Sequence, residues 1–166
     1  MDSWLFILLA ILFIGQTYCD QPSIWPLPWH YSSGDQITLI STKLLCTGNG
    51  IPTLMKACAR YKKQIFLHED VKMEFEGKRF NLITKIEFEI EDESEDYPTF
   101  QTSEEYSLSI PSNDHESITI EAPTIYGALR GLETLSQLIE FDFEREKYLV
   151  QNTPWMISDA PRFNHR

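Results

Sequence analysis

Basic residues are scarce in this chain, and so are the short patterns that mark reactive sites. Against 25 aspartates and glutamates stand 14 lysines and arginines, a formal charge of −11. Neutralising phosphates needs a clustered cationic face, and the basic clusters here are short, so nucleic acid is excluded as a partner. There is no G-x-S-x-G, H-E-x-x-H, C-x-x-C or Walker pattern, which removes the common signatures of serine hydrolases, zinc proteases, dithiol redox enzymes and P-loop enzymes. Nor is there an Asn-x-Ser/Thr glycan acceptor; Asn152 is followed directly by Thr153 and Pro154, one position out of register. The residues by themselves nominate no catalytic, substrate-binding or metal-ligating side chain, and no cofactor.

What is present suits one globular domain behind a leader. The 166 residues are 42% hydrophobic, enough for a real core. At the amino end LFILLAILFI, residues 5–14, is too short to span a bilayer comfortably, and Thr17 and Cys19 supply small residues before a cut. Residues 1–19 therefore read as a secretory signal peptide, although Asp2 departs from the usual cationic start. After cleavage no transmembrane helix is expected, and the mature chain carries Cys46 and Cys58 into an oxidising compartment. These two can form a disulfide or stay apart; sequence alone leaves the pairing open.

Along the mature chain, the prolines around IWPLPW predict an extended segment with Trp25 and Trp29 packed, as Trp155 is beside Pro154. Gly34 and Asp35 then turn the chain into a short strand, QITLIS. After GNGIP, the spacing of Leu54, Ala57, Cys58, Tyr61 and Ile65 predicts an amphipathic helix capped by Thr53. In ITKIEFEIEDE, Ile86, Phe88 and Ile90 alternate with Glu87, Glu89 and Glu91, giving one apolar face and a row of carboxylates. A solvated strand face that discourages edge pairing explains that row better than a metal site does. Two further strands, from Tyr106 to Ile110 and from Ser117 to Ala122, predict a hairpin whose loop holds His115 as an exposed turn residue. The stripe Ile125, Ala128, Leu129, Leu132, Leu135, Leu138, Ile139 predicts a second helix. Gly127 and Gly131, four apart within it, call for a close approach to a sheet or another domain, since each costs about 1 kcal/mol of helix propensity. The closing REKYLVQNTPWMISDAPRFNHR reads as a linker strand. Its last eight residues, extended and Pro-interrupted, predict that more chain follows.

Three blocks together, WPLPWHYSSGD, then EEYSLSI with SITIEAPTIYGALRGLETLSQLI, then DAPRFNHR, resemble the beginning of a β-N-acetylhexosaminidase of glycoside hydrolase family 20, across the mature chain. The resemblance implies the family's N-terminal non-catalytic domain, an α+β fold with a small antiparallel sheet and helices packed on one side. It implies residues 1–19 as signal peptide, 20–154 as this domain, and 155–166 as the start of a truncated catalytic TIM barrel, the rest of which is absent. Family members remove terminal N-acetylglucosamine or N-acetylgalactosamine from glycoconjugates with the substrate's own 2-acetamido group as nucleophile. A barrel Glu is the acid, and the preceding Asp steadies the acetamido group. No residue of this chain matches that pair, and Arg166 corresponds to a structural arginine, so the chain alone is expected to be inactive. Packing on a barrel, dimerisation, and a lysosomal or extracellular destination are implied in the same way. The rival expectation is a stand-alone secreted domain, not an enzyme, that binds a protein partner such as a full-length hexosaminidase subunit.

Overall fold

The computed structural model of the chain describes residues 23–48, 50–68, 81–112 and 117–162. The leader, His115 and Arg166 lie outside the described residues. The elements follow as β1 (His30–Thr47), α1 (Pro52–Ile65), β2 (Leu82–Asp92), β3 (Tyr106–Ile110), β4 (Ser117–Thr124), α2 (Ile125–Leu138), β5 (Glu140–Asp142) and β6 (Lys147–Asp159).

Among the described residues six strands form one sheet in the order β1-β2-β4-β3-β6-β5, with two helices beside it. The α+β class stands, but the sheet is mixed rather than antiparallel: β1 with β2 and β2 with β4 run parallel, while β3 with β4 and every pairing of β6 are antiparallel. A parallel neighbour needs a long crossover. Here α1 lies in the connection from β1 to β2, and β3 in the one from β2 to β4.

Strand periodicity sorts the faces. Ile86 and Phe88 on β2, Leu108 and Ile110 on β3, and Ile118 and Ile120 on β4 are buried, whereas Glu89, Glu91, Ser107 and Glu121 are exposed. The helices close the apolar face: Leu54 and Ala57 of α1 and Ile125, Ala128, Leu132 and Leu135 of α2 join the same core. Because β2 lies between β1 and β4, its carboxylate row faces solvent from the interior of the sheet and guards no edge.

Three local expectations are corrected. The first strand is far longer than QITLIS, and Gly34 lies within it at a register shift rather than in a turn. A side chain there would overlap the Thr153 carbonyl and sit 2.6 Å from Pro154 Cδ, so the glycine serves close approach. Next, α1 ends at Ile65 and is not capped by Thr53: Pro52 stands in its first turn, and the Glu95 carboxylate accepts the Thr53 N–H at 2.6 Å. Finally, the supposed linker is a central strand. At Leu149 β6 is flanked by β1 and β5, and from Trp155 to Ser158 by β1 and β3. Trp155 and Ile157 of this strand are buried in the common core. Pro154, which has no N–H to give a ladder, falls opposite the shifted register of β1. Beside it, Thr38 and Thr153 are buried with their hydroxyls hydrogen-bonded at 2.7 Å, and each has a backbone carbonyl 3.2 Å away, of Pro111 and Gln36 respectively, that can take the hydroxyl proton not used between them.

The glycine-bearing helix presses on its own sheet. A Cβ at Gly131 would lie 2.7 Å from Ile120 Cγ2, and one at Gly127 would overlap the Glu105 carbonyl oxygen. No other domain is needed to explain the pair, and this helix face is not a free docking surface. Thr124 caps the helix, its hydroxyl accepting the N–H of Tyr126 at 3.2 Å and of Gly127 at 3.4 Å.

Candidate functional site

The described surface has one end where the C-terminal ends of β2, β4 and β6 meet the starts of β1 and β3. An open cleft of about 910 Å³ lies there, lined in part by Trp29, Glu89, Glu105, Glu121, Asp159 and Pro161. Glu89 and Glu121 stand opposite each other across the β2–β4 pair. The cleft is thus acidic, and it repels anions. Among the described residues no group of three or more His, Cys, Asp or Glu is placed to hold a metal ion. Of the carboxylate row, Glu87 pairs with Lys85 on its own strand, and this hydrogen bond holds its carboxyl below the ordinary value. That is the opposite of what a general acid needs.

The same end is where β6 delivers the chain outward, and there IWPLPW has its role. Ile24 is buried and anchors the segment. Trp25 donates its backbone N–H to Gln137 Oε1 at 2.7 Å, and Gln137 Nε2 returns a bond to the Trp25 carbonyl at 3.1 Å, tying the segment to α2. Trp29 then clasps the exit: its backbone N–H bonds Asp159 Oδ1 at 3.1 Å and its indole N–H the Ala160 carbonyl at 2.9 Å. The Arg162 guanidinium lies 5.8 Å from the ring centroid, a cation–π distance. The first described residues are therefore bound to the last.

The expectation that all three tryptophans are packed holds for Trp155 alone. Trp155 is buried, and its indole N–H donates to the Gln151 carbonyl at 2.7 Å, whereas Trp25 and Trp29 are 83% and 55% exposed. Pro26 and Pro28, between those two, keep them on an extended stretch that crosses the surface instead of entering the core.

Cys46 on β1 and Cys58 on α1 are joined by a disulfide, with Cα atoms 6.6 Å apart. It staples the first helix to the first strand and is remote from the exit in the fold's order. Sequence reasoning did not find the Trp29 clasp, the Gln137 bonds or the Glu95 cap, each of which joins residues far apart in the chain. The one local hint was two indoles set among prolines, costly to leave without partners. Among the described residues no helix is long and apolar enough to cross a membrane.

With this geometry in view, comparison with known proteins gives a consistent result. Residues 24–138 match the family described as beta-acetyl hexosaminidase like. Beta-hexosaminidase subunit B2 of Dictyostelium discoideum is 38% identical over 148 residues, covering 87% of this chain and 25% of that protein. Beta-hexosaminidase 1 of Arabidopsis thaliana is 35% identical over 159 residues, covering 87% and 29%. The chain thus spans little more than a quarter of the length of these curated relatives. Among solved structures, the Flavobacterium johnsoniae chitobiase matches with a TM-score of 0.57 at 24% identity, over 86% of this chain and 21% of that one, a likeness of fold.

Proposed function

The chain belongs to the beta-acetyl hexosaminidase-like family, and on that premise we propose that it is the N-terminal, non-catalytic part of a β-N-acetylhexosaminidase. The observation that carries this reading is the lopsided coverage: the relatives match most of this chain, and this chain matches about a quarter of theirs. The whole protein removes terminal N-acetylglucosamine or N-acetylgalactosamine by the substrate-assisted route, with its Asp-Glu pair in a TIM barrel that follows β6. In this reading the unit from Ile24 to Asp159 supports that barrel, and the Trp29 clasp on Asp159 and Ala160 sets the direction in which the chain enters it. Residues 1–19 direct the protein into the secretory pathway, to lysosomes or outside the cell, and the described unit by itself hydrolyses nothing.

The test is the mass of the native polypeptide recognised by an antibody against residues 94–112. A product larger than this chain by roughly 28 kDa or more, as a barrel of about 250 residues requires, is expected. A native product no larger than 19.4 kDa would refute it. That outcome would favour the second reading, a stand-alone domain that binds a hexosaminidase subunit, for which the exposure of Trp25 and Trp29 speaks.

A further inference from the structure

Between β2 and β3 the chain carries a run of negative charge that ends in a tyrosine. Five of the six residues before Tyr97 are acidic, Glu91, Asp92, Glu93, Glu95 and Asp96, and Pro98 follows it. From Ile86 to Leu129 the chain contains no Lys or Arg. Every residue from 91 to 101 is exposed, and residues 93–105 belong to no strand or helix. Tyr97 itself is 90% exposed. The nearby tyrosines differ: Tyr106 shares a buried 2.6 Å hydrogen bond with Thr134, and Tyr126 donates to the Asp96 carbonyl at 2.7 Å. The neighbouring serines are also occupied, Ser94 Oγ accepting the Asp96 N–H and Ser103 Oγ the Glu105 N–H. Tyr126 thus holds the backbone one residue before Tyr97 while the phenol projects into water.

We infer that Tyr97 is a site of tyrosine O-sulfation, installed in the secretory pathway. The inference rests on the proposed signal peptide, because the sulfuryl-transfer machinery for protein tyrosines works in that compartment. An enzyme that handles an anionic sulfate donor needs a cationic cleft, and an extended acidic segment lacking any Lys or Arg is the complementary substrate. In the transfer, Tyr97 Oη attacks the sulfur of a nucleotide's mixed sulfate–phosphate anhydride. The O–S bond to tyrosine forms as the S–O bond to phosphate breaks. The nucleotide phosphate leaves with the electron pair, the phenolic proton passes to a base of the transferase, and nothing is oxidised or reduced. The transfer adds a permanent anion to a segment that is already negative.

The experiment is expression of the full protein, with its own leader, in secreting animal cells fed radioactive sulfate. The secreted product is analysed by mass at the peptide from Ile86 to Arg130. The expected result is a leader-free protein carrying one SO3 increment on that peptide. The increment should resist phosphatase, be lost in Tyr97→Phe, and fall severalfold in the combined Glu91→Gln, Glu93→Gln, Asp96→Asn variant. An exported, leader-free protein without the increment would overturn the sulfation alone. A protein retained inside with its leader intact would overturn both the sulfation and the secretory reading. An increment that phosphatase removes, or that persists in Tyr97→Phe, would equally refute it.

Discussion

Replacing Gly127 with alanine sets two effects of known size against each other. In a helix interior alanine is favoured over glycine by about 1 kcal/mol. Its methyl, however, would overlap the carbonyl oxygen of Glu105 and lie 3.0 Å from Ala122 Cβ. The first of these is backbone and cannot rotate away. Relief requires α2 and the segment leading into β3 to part, and two hydrogen bonds hold them together: Thr124 Oγ1 to the Ser103 carbonyl and Tyr106 to Thr134, each 2.6 Å. Overpacking costs about 1–3 kcal/mol, and stretching those bonds adds about 1 kcal/mol apiece. Net of the propensity gain, Gly127→Ala should destabilise by about 2–4 kcal/mol, a fall of roughly 7–14 °C in Tm for a unit of this size. Gly131→Ala is the internal comparison, since its methyl meets side-chain atoms, the Ile120 Cγ2 methyl at 2.7 Å and the Tyr106 ring at 3.3 Å, rather than backbone. It should stay within about 1 kcal/mol of the parent, the propensity gain offsetting the repacking. Thermal melts of the three proteins decide the matter. A Gly127→Ala variant melting at or above the parent would refute the close-approach reasoning.

Three other perturbations probe separate joints of the fold. Cys58→Ser should lower stability by about 3 kcal/mol through loss of a short closed loop, and intact mass without reductant should find no free thiol at Cys46 in the parent; two titratable thiols there would refute the pairing. Hydrogen bonds from the Thr53 side chain and backbone N–H hold the Glu95 carboxyl below its ordinary value of 4.5, so its contribution is present above that pH and is lost as pH falls through the folded value. Glu95→Ala should accordingly lower Tm at pH 7 and converge on the parent in more acidic buffer, and a Tm gap that does not change with pH would count against this cap. Thr124→Ala should cost about 1 kcal/mol by uncapping α2, measured as a shift in urea midpoint with unchanged slope.

Wherever the cause is local, the chain is legible without its structure. The period of 3.6 in Ile125, Ala128, Leu132 and Leu135 specifies the helix and its buried face, because side chains three and four apart must share a side. Alternation in Ile86, Phe88 and their glutamates specifies a strand with one wet face. Paired glycines in a helix specify contact, since only a close neighbour offsets their entropy. What the local pattern cannot say is which neighbour. That β2 runs parallel to both its partners and that KYLVQNTPWMISD is the hub of the sheet were decided by which strands found each other. So was the capping of α1 by a glutamate 42 residues away, and the return of Trp29 to clasp Asp159 and Ala160. Propensity and periodicity act over a few residues, whereas pairing partners, remote caps and the surface around the chain exit are settled only when distant segments bury one another's faces.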